Sequence, residues 1–232
     1  MRPHAMLKAS PPLLLCGVIG GPLFVIAFLI EGALRADYDP IRHPVSSLAL
    51  GSSGWTQIAN FVTTGLLMLL FAIGLRRRLR AAGRPSTWGP LLVGAYAIGL
   101  IGAGVFVTDP VGGYPLGTPD QGVHSWHGTL HDFPFSLLAF AALAAACFVF
   151  ARRFIGWDER GWAVYSVATG ALVVIGFFLS GQAFAQAEGL ADIGGLLQRL
   201  TIVIGWGWLT LLAIHLRNTD EPARHHAGRN ES

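Results

Sequence analysis

Six apolar runs, each about twenty residues long, follow one another along this chain, at 12–34, 55–75, 88–107, 133–151, 162–184 and 196–216. About twenty apolar residues wound as an α-helix cross a hydrocarbon layer roughly 30 Å thick. Only 12% of the 232 residues are charged and 53% are hydrophobic, with a mean hydropathy of +0.53. A soluble domain, with about 25% charged residues, could not cover that much apolar surface. The expected fold class is therefore an all-α membrane protein, a bundle of six transmembrane helices forming one domain over residues 1–217. The polar tail, 218–232, is expected to be disordered.

The charges between the runs alternate. Arg2 and Lys8 precede the first run, Arg76 to Arg84 follow the second, Arg152 and Arg153 follow the fourth, and Arg217 follows the sixth. The first, third and fifth connections hold only Arg35 and Arg42. Basic residues stay on the cytoplasmic side, so this pattern predicts a multi-pass protein of the cytoplasmic membrane with both termini inside. The same dispersal argues against nucleic acid as a partner despite a pI near 9.2, because the bases form no continuous patch. The lipid bilayer is the expected partner. The first run exceeds the 7–15 residues of a signal-peptide core and reads as an uncleaved helix. Cys16 and Cys147 lie inside apolar runs and imply no disulfide framework.

Chemistry concentrates at 108–132, which has no Lys or Arg but contains Asp109, His124, His127 and His131. On a helix the three histidines, spaced i, i+3, i+7, share a face. His127 and His131 have the i, i+4 spacing that sets two imidazoles on one divalent ion such as zinc, with Asp109 or His43 as a further ligand. Pro134 supports another reading, in which the helix starts at Asp132 as its N-cap and the histidines form a loop network. His43 and Ser46 in the first connection could pair as base and nucleophile. Arg199 stands at the outer start of an apolar helix, where Glu31 and Glu188 are the available partners. These residues predict an outward-facing vestibule of His43, Ser46, Asp109, His124, His127, His131, Arg199, Glu31 and Glu188. It would bind a small polar ligand, an ion or a lipid headgroup. One alternative is a divalent-metal hydrolase acting on a lipid or lipid-linked substrate. Another is an assembly subunit that uses the strip Gly94, Gly99, Gly102 and Gly104 for close helix approach.

Three segments, HPVSSLALGSSGWTQIANFVTTG, GAGVFVTDPVGGYP and WHGTLHD, resemble in content and order the domain-of-unknown-function 998 family of prokaryotic membrane proteins. The resemblance covers about Leu14 to Leu216 and implies six spans, with no activity to carry over. It singles out His43, Ser46, Asp109, His127 and His131 as positions in the family's recognisable segments. A second resemblance, in residue types alone, is to membrane zinc hydrolases of the alkaline ceramidase and adiponectin receptor type. This chain departs from them in span number and in the order of serine and histidine.

Overall fold

A computed structural model describes residues 11–122 and 124–218. The expected tail from 219 onward, with Arg2 and Lys8, lies outside them. Seven α-helices form: α1 (Pro11–Leu34), α2 (Trp55–Ala81), α3 (Trp88–Val105), α4 (Trp126–Leu130), α5 (Leu137–Gly156), α6 (Arg160–Phe184) and α7 (Gly194–Asn218). Short α4 runs through a kinked turn, His131–Ser136, into α5, so that six segments are long and apolar enough to cross a membrane. Helices suit that setting because each satisfies its own backbone hydrogen bonds where no water can. The chain is an all-α, multi-pass membrane protein.

Several boundaries move. The second span continues to Ala81, with Arg78 and Arg80 in its last turn, where cationic side chains suit a helix C-terminus. The fourth span starts at Trp126, seven residues before the expected 133. Ser125 is its N-cap, the Oγ accepting from the Gly128 N–H at 3.1 Å, so the reading that started this helix at Asp132 is overturned. Pro134 is accommodated by the kink, where Phe133 leaves helical geometry at φ −137°, ψ 106°.

The segments stand in a ring in chain order, each packed on its neighbours, and α7 closes the ring against α1. Ile19, Ile26, Leu29, Val164, Ile175 and Phe178 are exposed on its outside, as side chains facing lipid are. The glycines of α3 are used inside it. A Cβ on Gly99 would meet Ala139 and the Phe135 carbonyl at 2.8 Å, and one on Gly102 would enter the Phe135 ring. The strip read as an assembly surface is thus an internal seam, which removes that surface from the assembly reading.

The ring has two different ends. The arginine-bearing end is filled by Leu14, Phe71, Leu75, Phe150, Phe154 and Trp208, all fully buried. There Arg84 binds Glu159 at 2.8 Å and stacks on Trp157, and His215 approaches the same carboxylate at 2.6 Å. At the histidine-bearing end the first connection, 35–54, folds over the ring as a roof. Its buried 3-10 turn, Val45–Ala49, packs on α1 and α2.

Candidate functional site

Roof and ring enclose a cavity of about 820 Å³, within the range of small-molecule sites. Pro44, Val45 and Ser46 line it from the roof. Asp109, Gln121 and His124 come from the third connection, and Asp132 and Ser136 from the kinked turn. Deeper walls are apolar: Phe61, Leu100, Leu143, Phe177 and Ile202. The cavity reaches Tyr96 and Trp206, near the middle of α3 and α7. Among the described residues its charge-bearing side chains are Asp109, Asp132, His124 and His131, with no Lys or Arg.

Four predicted residues therefore meet on one cavity: Ser46, Asp109, His124 and His131. The other five do not line it. Glu31 lies on α1, where its carboxylate accepts from Thr56 at 2.8 Å and sits 3.9 Å from Arg35. Glu188 is exposed in the connection before α7. His127 is on α4 but turned away from the cavity. His43 and Arg199 hold the roof from behind.

The roof is fastened through backbone groups. Main-chain bonds run from Gly195 N to Arg42 O (3.0 Å) and from Leu196 N to Ile41 O (2.8 Å). This approach needs glycine at 195, since a Cβ there would lie 2.4 Å from the His43 carbonyl. Arg199, 9% exposed, donates to the carbonyls of His43 and Gly195 at 3.0 Å each and to the Tyr38 hydroxyl. The expected pairing of Arg199 with Glu31 or Glu188 is overturned: no carboxylate among the described residues reaches it. Carbonyl dipoles and the Phe28 and Tyr38 rings, 5.8 and 5.5 Å away, face its charge. Burial pushes the Tyr38 phenol up to about 12 against the pull of Arg199, so it stays neutral.

His43 occupies both ring nitrogens. Nδ1 accepts from the Asp39 N–H at 2.8 Å, so the proton is on Nε2, which donates to the Gly112 carbonyl at 3.1 Å. Burial lowers its pKa, favouring this neutral form. An imidazole so engaged has no lone pair left for a metal or for the Ser46 proton.

His131 is 3% exposed and lies against Phe61. Its Nδ1 is 2.8 Å from the carbonyls of both Ala103 and Phe106. Carbonyls only accept, so Nδ1 carries a proton, and Nε2 makes no hydrogen bond to any described residue. His127 is held the same way, Nδ1 at 3.0 Å from the Val107 carbonyl and 2.9 Å from Ser125 Oγ. Ser125 in turn donates to Asp109 Oδ1 at 2.6 Å, while Asp109 Oδ2 accepts its backbone N–H at 2.7 Å. Here serine, histidine and aspartate meet with the wrong polarity for nucleophilic attack, because the hydroxyl proton is already committed to the carboxylate. The trio is a clasp that ties the start of α4 to the end of α3. Among the described residues no three His, Cys, Asp or Glu side chains gather as a metal ion would require.

The vestibule reading missed the cavity's deeper residues. Tyr96 and Trp206 look in sequence like ordinary apolar-span aromatics, and nothing in their spacing marks the space between them. Ser125 did carry a signal, an N-cap residue directly before WHGTL, which Pro134 obscured.

No curated protein and no solved structure matches the chain. Residues 18–215 match the family described as "Protein of unknown function (DUF998)", and with that match extending over most of its length the chain belongs to this family.

Proposed function

We propose that this protein binds an amphiphilic small molecule or single-chain lipid, with the polar head among His124, Asp132 and Ser46 and the apolar part in the ring. The observation that carries this reading is the cavity of about 820 Å³ whose polarity falls from the connections to the mid-helix walls. A purely polar ligand would leave Phe61, Leu143, Phe177 and Ile202 unsatisfied, and a pure hydrocarbon would strand the groups at the mouth. With two carboxylates, two imidazoles and no Lys or Arg among the described lining residues, the mouth suits a neutral or cationic head and disfavours phosphate. The positive-inside pattern of the charges supports a mouth on the outer face of the cytoplasmic membrane.

Mass spectrometry of protein extracted in mild detergent tests the reading. The parent should carry an amphiphile at a molar ratio near one. Ala185→Trp, on the exposed rim, and Ala103→Trp, in the wall, should lose it. Parent protein free of any such molecule, and taking up none from lipid vesicles, contradicts the proposal. A metal hydrolase acting on the same class of molecule would need further ligands beside His131, and His43, whose ring nitrogens are both engaged, is not one of them.

A further inference from the structure

Two side chains at the floor of the cavity have hydrogen-bonding capacity that the protein leaves unused. Tyr96 is 4% exposed and Trp206 is 2% exposed, yet neither the phenol nor the indole N–H bonds to any described residue. Two other buried aromatic donors are paired: Trp208 Nε1 donates to Ser166 Oγ at 3.0 Å, and Tyr38 donates to the Pro44 carbonyl at 2.9 Å. Neither polar atom is among the sealed, unpartnered ones of this core, such as Ser47 Oγ and Gln57 Nε2, so both open on the cavity, where a molecule inside it can accept from them. The two rings are 5.4 Å apart, edge to face, and both border the cavity. An aromatic wall leads down to them, with Trp206 5.2 Å from Phe24 and Phe24 5.3 Å from Phe61. Tyr96 lies seven residues before Ala103, whose carbonyl holds His131. At 1.5 Å per residue the floor is therefore about 10 Å below that histidine.

Resting on the amphiphile reading, we infer that the bound molecule carries an acceptor oxygen, a carbonyl or ether, on the part that reaches the floor, where Tyr96 and Trp206 donate to it. A plain alkyl chain would leave both donors unsatisfied. An oxygen-bearing planar ring would satisfy them and also stack on the aromatic wall. Tyr96 and Trp206 are then binding residues that select against simple hydrocarbon tails.

The test uses two probes of the same skeleton, 2-methyl-1,4-naphthoquinone and 2-methylnaphthalene. Each is measured by equilibrium dialysis against the full-length protein in detergent and corrected for uptake by empty micelles. The parent should prefer the quinone by about tenfold or more. Tyr96→Phe, which removes one oxygen and keeps the ring, should cut that preference about fivefold while leaving the hydrocarbon's affinity unchanged. It should not lower the thermal midpoint of the ligand-free protein, because the group removed had no partner. Trp206→Phe should reduce the preference in the same direction. Equal binding of the two probes to the parent, or an undiminished preference in Tyr96→Phe, overturns the inference and leaves the amphiphile reading standing. Binding of neither probe to the parent sinks both.

Discussion

The two ends of the helix ring are built from the same segments, but one end is solid and the other hollow. At the arginine-bearing end large side chains converge: Phe71, Leu75, Phe150, Phe154 and Trp208 leave little space between helices. At the histidine-bearing end the same helices turn Ala103, Ser136, Ala139, Ser180 and Ala185 toward the axis, and the roof closes the gap they leave. The solid end holds the ring together, which lets the hollow end be empty and partly polar. Close-packed interiors lose several kcal/mol when a large side chain is removed, whereas a lining residue has few contacts to lose.

The largest effect that would break this contrast belongs in the solid end. Trp208→Ala should cost about 3–5 kcal/mol, read as a lowered thermal midpoint in detergent, with the Ser166 hydroxyl losing the indole donor while still bonded to the Trp162 carbonyl. If Leu143→Ala in the cavity wall costs as much, the ends are not different in kind. Next comes the roof. Arg199→Leu removes donors from the Tyr38 hydroxyl and the His43 carbonyl and should cost about 2–3 kcal/mol, with faster proteolysis within residues 35–54. Glu31→Gln should leave the Arg199 contacts intact, since that carboxylate serves Thr56 and Arg35.

Smaller effects sharpen the picture. Ser125→Ala should cost about 1 kcal/mol, seen as faster amide exchange over Trp126–Leu130. The roof should also respond to acid. Burial depresses the folded-state pKa of His43, so its contribution is fully present above the unfolded value of about 6.5 and is lost as pH falls through the lower folded one. Hydrogen exchange at Asp39–His43 should therefore quicken between pH 7.5 and pH 5, and His43→Gln should flatten that dependence. Smallest of all, Ala185→Trp on the exposed cavity rim should change stability by no more than about 0.5 kcal/mol.

Much of this architecture was legible from one sequence because the bilayer imposes long uninterrupted runs. Six spans and their order follow from the apolar runs, and the gathering of basic residues at one end from Arg76–Arg84, Arg152 and Arg153. The site was only half legible. Ser46, Asp109, His124 and His131 do meet, because the connections that carry them fold over one end of the ring. Arg199 misled, since an isolated charge suggests a carboxylate while the protein uses carbonyls and aromatic faces, which leave no mark in composition. His43 misled for a related reason: backbone groups of Asp39 and Gly112 occupy both its nitrogens, and backbone partners are invisible to a search for side-chain motifs. Tyr96 and Trp206 stayed hidden because a cavity is a property of what neighbouring helices omit.

The contrast between a hollow end and a solid end can be read from cysteine chemistry in one protein, because Cys147 already sits fully buried in α5 outside the cavity lining. In a Cys16→Ser background, a single cysteine is introduced as Ser46→Cys in the roof or Leu100→Cys in the wall, and a small cationic methanethiosulfonate is added from water. Both new thiols should react, the roof faster than the wall, with Cys147 silent and an added amphiphile slowing both. Modification of Cys147 as fast as Leu100→Cys, or silence at both new thiols in ligand-free protein, would contradict it.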